Sequence, residues 1–421
     1  MRRASVEKLP GEGETVSVWP KAVHWSRNGA IGSDDLSSPA DLRFALKCEP
    51  APKAIVAIPA RNEAMRLSRC LSALLHQRSE QGQSLHRSDI GFVIVCNNCT
   101  DRSATLAIEM LQGCGAPFIV LDTKLPPAHA NAGNARRLAM NVAAGWMERC
   151  GLRDGALLTT DADSRVPPDW VARNLAALRT CPAVAGRFVL DGGEDALSAQ
   201  MRARIDLEQR YEDQLLRLAA RLDPRAHDPW PNHRVASGTS YGLTLGAYRT
   251  IGGLPVTSCG EDRALERALE ERDIPIRHDP AIVVATSARL EGRARGGCAD
   301  ALRLRSEVHD TAGDAALEPV LLAARRFAWR GRLRRLHASG GQSSTWLAAL
   351  HLPARAREWM DEAFFGRVWA HVEAASPRLT PRALRPAELS AQIKVADGIL
   401  ACRPCPTAAD PTDIRASCLA G

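Results

Sequence analysis

Four short runs of nearly unbroken aliphatic residues constrain this chain most. They are Ala54-Ile55-Val56-Ala57-Ile58-Pro59, Phe92-Val93-Ile94-Val95-Cys96, Phe118-Ile119-Val120-Leu121 and Ala156-Leu157-Leu158-Thr159-Thr160. A strand with one face in water alternates apolar and polar residues, whereas a strand covered on both faces does not. Helical spacing fills the gaps between the runs. Apolar residues at 67, 70, 71, 74 and 75 share one face of a helix after Glu63, a second helix is expected over about 102–112, and a third from Ala130 to about 149. Strands and helices in alternation predict an α/β fold, a doubly wound, mostly parallel sheet flanked by helices. Each run passes to its helix through a polar cluster. Ligands of open α/β sheets bind beyond the carboxyl ends of the strands, so all these clusters are expected on one rim.

The fourth run ends in Asp161-Ala162-Asp163, with Pro167-Pro168 a few residues later. Two carboxylates leaving a strand together make a hard oxygen corner suited to Mg²⁺ or Mn²⁺, ions that also bind ligand phosphates. The alternative is a polar turn with a helix cap, for which Pro168 is well placed.

Further along, 183–190 and 241–245 read as strands and 196–222 as a long helix. Residues 223–237 hold three prolines, two histidines and Trp230, a loop long enough to be a lid or binding loop. A helix is expected from Gly260 to about 272 and a last strand over 281–286. Beyond residue 300 the chain is rich in Ala, Leu and Arg, with helices expected over 315–337 and 355–375. The expected organisation is an N-terminal extension (1–50), an α/β domain (51–300), a helical C-terminal region (301–400) and a tail (401–421).

Hydrophobic residues make up 45% of the 421 but aromatics only 5%, so aliphatic side chains must fill most of the core. The formal charge of +7 favours an anionic ligand. No Lys/Arg block is interleaved with aromatics, which argues against nucleic acid. No apolar run reaches the roughly 18 residues of a membrane span, and no apolar stretch comes after Arg2-Arg3 as in a secretory signal, so a cytoplasmic protein is expected. The twelve cysteines are scattered, several within apolar segments (Cys70, Cys96, Cys150), and are expected to be reduced. Two Cys-x-x-Cys pairs, Cys96/Cys99 and Cys402/Cys405, lie about 300 residues apart, which disfavours a shared zinc site.

Four pieces in order now resemble the family-2 glycosyltransferases of the GT-A fold. They are Ile58-Pro59-Ala60-Arg61-Asn62-Glu63, Asn97-Asn98-Cys99-Thr100-Asp101, Asp161-Ala162-Asp163 and Gly260-Glu261-Asp262. The resemblance covers about 51–300. It implies a GT-A domain that moves a sugar from a nucleoside-diphosphate sugar to an acceptor hydroxyl, metal-dependent and inverting. By that resemblance Pro59, Ala60, Arg61 and Glu63 line the nucleoside pocket, Glu63 facing the ribose. The alternative for Glu63 is a place in a helix's first turn, where the macrodipole favours it. Relatives carry two acids where this chain has Cys96 and Asn97. Asn97 can donate and accept, so it could still read a base. Asp101 matches a later acid of the pattern, and would otherwise cap the next helix.

Asp163 is the implied metal ligand. Asp161 is a second ligand or ribose contact, with Ala162 between them at the nucleotide. His278 is the candidate third ligand, with an ordinary histidine as its alternative, and His233 is a poorer one. Glu261 and Asp262 match the acidic pair at the acceptor site, Asp262 as the base. Asn134 and Arg137 at their helix start, and Arg289, Arg293 and Arg295 among glycines after the last strand, could reach nucleotide or diphosphate. A solvated basic loop is the alternative for the last three.

The implied partners are a nucleotide-sugar donor and an acceptor that is a small molecule, a saccharide or a lipid-linked group. For the last, the Arg-rich helices beyond 315 could lie on a membrane surface. Two other readings compete. A nucleotidyltransferase would want a Gly-rich, Lys-bearing loop where Ala60-Arg61-Asn62-Glu63 stands. A non-catalytic nucleotide-sugar-binding protein would not need the acids at 161, 163, 261 and 262.

Overall fold

A computed structural model describes residues 22–26, 51–191, 197–235, 237–292, 296–341 and 343–402. Arg293, Arg295 and Cys405 lie outside them. The sheet begins with strands β1 (Ala22–Ser26), β2 (Ala54–Ala60), β3 (Ile90–Asn97), β4 (Phe118–Thr123) and β5 (Ala156–Thr159). Every residue of β2, β3 and β5 is buried, as the unbroken aliphatic runs require. Alternate residues serve opposite layers. Helix α1 (Ala64–Leu75) covers Val56 and Ile58 through Leu67, Cys70, Leu71 and Leu74. After α2 (Ser103–Leu111), helix α3 (Ala132–Arg149) covers Ile55 and Ala57 through Ala139, Met140, Ala143 and Met147. Gly91 lets the two layers close. A Cβ there would lie 2.8 Å from the Trp146 ring, so a larger residue would push α3 off the sheet.

The chain continues through α4 (Trp170–Leu178), β6 (Ala183–Asp191), α5 (Ala199–Leu222), β7 (Tyr241–Thr244), α6 (Leu245–Thr250), α7 (Glu261–Glu270) and β8 (Ile276–Ser287). The strand order is β1-β4-β3-β2-β5-β7-β6-β8. Strands β4, β3, β2 and β5 are parallel, as are β6 and β8. Strand β7 runs antiparallel between β5 and β6, with Tyr241 opposite both Thr159 and Ala185. This is the expected architecture, a mostly parallel sheet flanked by helices with a helical C-terminal region. The inserted strand matters for function, because it carries residues 237–240 to the end of β5.

Several expectations change. The 1–50 extension contributes β1, an edge strand antiparallel to β4. Strand β8 starts at Ile276 rather than 281, so His278 lies within it. Its register against β6 shifts between Gly186 and Arg187, where Pro280 interrupts the ladder. Cys150 is disulfide-bonded rather than reduced, while Cys70, Cys96, Cys99, Cys114, Cys181, Cys259 and Cys298 are free thiols. A disulfide persists best in an oxidising compartment, so it lends no support to a cytoplasmic location.

The C-terminal layer holds α8 (Cys298–Glu307), α9 (Val320–Ala338), α10 (Thr345–Ala349), α11 (Phe365–Ala375) and α12 (Pro386–Ala401). Residues 354–361 form a 3₁₀ turn, not the start of the expected 355–375 helix. Helix α5 joins the layers. Its Tyr211, Leu215 and Leu218 pack on Val320, Ala324, Phe327, Leu389 and Ile393. Several arginines of α9 turn inward. Arg326 pairs with Glu318 and Glu373, and Arg330 and Arg334 with Asp223. Among the described residues no helix is long and apolar enough to cross a membrane.

Candidate active site

The carboxyl ends of β2, β3 and β5 open into one cavity of about 2920 Å³. Pro59, Ala60, Arg61, Glu63, Asn97, Asp161, Ala162, Asp163, Glu261 and Asp262 all line it. Parallel register puts them there: Ala60 at the end of β2 lies opposite Cys96, and β5 leaves the sheet at Thr159, opposite Ala57, with Asp161–Asp163 following. At the first exit Asn62 takes a left-handed conformation (φ 53°), turning the chain so that Glu63 enters α1 buried. Arg61 reaches across to the Ala130 carbonyl at 2.9 Å.

Asn97 is 1% exposed. Its Nδ2 donates to the Asn131 carbonyl at 3.4 Å, and its Oδ1 has no hydrogen-bond partner among the described residues. A buried acceptor left unpaired is costly, so this oxygen suits a donor on a bound ligand. Asp101 does other work. Its carboxylate accepts from the Ala64 N–H (3.0 Å) and from the Ser103 N–H (3.0 Å) and hydroxyl (2.6 Å). It ties the starts of α1 and α2 together and does not line the cavity, so the capping alternative holds.

Asn134 and Arg137 do not line the cavity either; the residue that does is Arg136. Each helical residue turns the side chain by about 100°, so a shift of one position along α3 decides which arginine faces the rim. The Arg136 side chain is 4% exposed and ion-paired with Asp161 and, at 3.4 Å, with Glu261. It also donates to Thr159 Oγ1 (2.8 Å) and the Gly238 carbonyl (2.9 Å). A Cβ on Gly238 would overlap the guanidinium, so this approach needs glycine. Burial pulls the Arg136 pKa down, but Asp161 and Glu261 more than offset it and the group stays charged. Nothing in the sequence distinguished Arg136 from Arg137 except the phase of the helix.

Glu63, Asp161 and Asp163 gather at this rim. Burial, with the charges of Asp161 and Glu63, pushes the Asp163 carboxyl up to about 6 against the pull of Arg289. Arg289 Nη2 lies 2.8 Å from Glu63 Oε1 and 3.1 Å from Asp163 Oδ2. Opposite, Gly260 (φ 72°) starts α7, and Asp262 accepts from the Arg263 N–H at 2.8 Å. Burial raises its pKa as well, with Glu261 adding to the effect.

His278 is not a ligand partner of Asp163. Its Nδ1 lies 2.9 Å from Asp228 Oδ2 and its Nε2 3.0 Å from Glu266 Oε1. Burial would lower its pKa, but the two carboxylates raise it to about 9, and both ring nitrogens are engaged by them. His233 lies edge-on to it at 5.4 Å, with Nε2 3.1 Å from the Ala185 carbonyl. Among the described residues no group of three or more His, Cys, Asp or Glu could hold a metal alone. A Mg²⁺ or Mn²⁺ ion bound by one or two carboxylates plus substrate phosphates needs no such cage. The crowded carboxylates with a raised Asp163 pKa are a donor set that fits one.

Residues 55–234 match the family model described as glycosyl transferase family 2. The matched segment runs from β2 to the loop after α5 and so includes the rim from Pro59 to Asp163. No curated protein sequence matches the chain. Among solved structures it is similar to S. aureus TarS 1-349 in complex with UDP (12% identity, 87% of this chain and 92% of that one, TM-score 0.40). It is also similar to the mannosyltransferase PcManGT from Pyrobaculum calidifontis in complex with GDP-Man and Mn²⁺ (17%, 80% and 90%, TM-score 0.35).

Proposed function

We propose that this chain is a family-2 glycosyltransferase that moves a sugar from a nucleoside-diphosphate sugar to an acceptor hydroxyl with inversion, using a divalent ion. The observation that carries the reading is Arg136. It holds Asp161 of the donor rim and Glu261 of the acidic pair on one guanidinium, so the two motifs, about 100 residues apart, face one cavity. A Mg²⁺ or Mn²⁺ ion on Asp163, with Asp161 beside it, would offset the charge that builds on the departing diphosphate.

The remaining work falls to the chain's own groups. Glu63 holds the ribose hydroxyls, and Asn97 Oδ1 accepts from the base. Asp262 takes the proton of the acceptor hydroxyl as its oxygen bonds to the anomeric carbon and the bond to the diphosphate breaks. Shielding from water raises the Asp262 pKa, which makes it a stronger base than an exposed aspartate. The cavity exceeds the ~300–1,000 Å³ of ordinary small-ligand pockets, so space along α5 and the 223–235 loop remains for an acceptor larger than one sugar. In this reading residues 51–300 form the transferase domain and 301–400 a helical region that walls the acceptor side.

The test is release of free nucleoside diphosphate from UDP-, GDP-, ADP- and dTDP-sugars with Mn²⁺ or Mg²⁺. One donor is expected to be turned over only with metal. D163A is expected to lose metal dependence and turnover together. D262N should bind the donor but lose turnover by about a hundredfold or more. Activity should fall on the acid side with an apparent pKa above the ~3.9 of free aspartate, because protonated Asp262 cannot accept a proton. Full turnover in D262N would remove it as the base.

A further inference from the structure

Among the described residues two guanidinium groups, Arg136 and Arg289, pair with the three carboxylates of the donor rim, and the two cations differ in standing. Arg136 is almost wholly enclosed and is anchored by Thr159 and Gly238 as well as by acids. Arg289 is 20% exposed and lies just past the last strand. Its fork meets Glu63 through two bonds, Nη2 to Oε1 at 2.8 Å and Nη1 to Oε2 at 3.0 Å, and reaches Asp163 Oδ2 at 3.1 Å. The group that would bind metal and the group that would bind ribose are thus closed by a side chain of the protein itself.

We propose that Arg289 is an exchangeable counter-ion, which neutralises Glu63 and Asp163 in the free enzyme and passes to the donor diphosphate when metal and nucleotide bind together. This rests on the metal-dependent reading of the site. A divalent ion on Asp163 with the guanidinium still at Oδ2 would set two cations side by side, which Coulomb repulsion disfavours. Withdrawing the guanidinium alone would break its ion pairs with Glu63 and Asp163 and return nothing for them. A diphosphate resolves both, because it supplies the anion that a guanidinium fork binds best and also ligates the metal. Metal and nucleotide should therefore help each other bind, and by linkage the factor is the same in both directions.

The test is Mn²⁺ binding, read from the electron paramagnetic resonance of the free ion, with and without UDP, GDP, ADP or dTDP. Wild type, R289Q, R289K and D163A are compared. Wild type is expected to bind Mn²⁺ about tenfold or more tighter with one nucleoside diphosphate than without, within the usual range of coupling. R289Q should bind Mn²⁺ alone about tenfold tighter than wild type, with the nucleotide effect reduced, because no cation contests Asp163. R289K keeps the charge and should resemble wild type, and D163A should lose the site. If R289Q binds Mn²⁺ alone no tighter than wild type, although both bind it with nucleotide, the exchange is wrong and the metal reading stands. If wild type binds Mn²⁺ equally well alone and with nucleotide, the exchange is overturned without any variant. If wild type and R289Q bind no Mn²⁺ with any of the four nucleotides, the metal reading falls and the exchange falls with it.

Discussion

A single buried guanidinium organises the acids of this site. Arg136 lies under Asp161 and Glu261, and both would repel each other and any incoming diphosphate without it. Removing one partner of a buried pair typically costs ~3–5 kcal/mol; the acids here are partly solvated, so R136Q should fall at the low end, about 2–3 kcal/mol. Urea unfolding measures that cost. R136K keeps the charge but cannot span Asp161, Glu261, Thr159 and Gly238 at once, so it should recover part of the stability and little of the turnover. Equal stability of R136Q and wild type would show that the network contributes nothing net. The same residue marks what was legible at this scale. The sequence placed a helix start at the rim and singled out Arg137, and only the rotation of α3 against the sheet selected Arg136.

The loop between α5 and β7 is held as an element rather than hanging as a lid. Asp228 accepts from the His278 N–H at 2.9 Å and from its ring, while Arg277 donates to the carbonyls of Pro229 (2.7 Å) and Pro231 (3.0 Å). The pairing has a pH signature. The folded pKa of His278 is raised from 6.5 to about 9, so its stabilisation is complete below pH 6.5 and is lost as pH rises through about 9. A shift of that size corresponds to on the order of 3 kcal/mol. Asp228 shifts the other way: burial pushes it up, but the His278 bonds win and hold it down, so its contribution is lost as pH falls through that lowered value. The melting temperature should therefore drop between pH 7 and 10 in wild type, and that alkaline limb should flatten in H278Q. A wild-type curve as flat as the variant's would mean the ring is neutral in the native state. In sequence the two histidines looked like metal candidates because residue type is visible there and partners are not.

Across the whole molecule, α5 is the hinge of construction, with one side on the cavity and the other in a second apolar core against α9 and α12. The helical layer is then part of the folded unit rather than an appendage. Phe327 of α9 is 2% exposed in the core it shares with α5, and F327A should cost ~3–5 kcal/mol in a single cooperative urea transition. Two separate transitions, with only the first shifted, would instead make the layer an independent unit. The arginines of α9 that suggested a membrane surface are partly explained here, since Arg326, Arg330 and Arg334 face Glu318, Glu373 and Asp223 inside the protein.

By itself the sequence determined the parallel sheet, the order of its strands along the chain and the rim from Pro59 to Asp163. These come from local rules: short aliphatic runs bounded by turn residues read as strands covered on both faces, and the residues after parallel strands leave the sheet on one edge. It also marked Glu261 and Asp262 by resemblance. Tertiary structure decided which neighbours of those residues take part. The antiparallel insertion of β7, the edge strand β1, the pairing of Asp101 with two helix starts, the enclosure of His278 and the bridge from Arg289 to Asp163 all join segments far apart in the chain. Such contacts depend on helix phase and on strand register across the sheet, and neither is written in the spacing of residues along one segment.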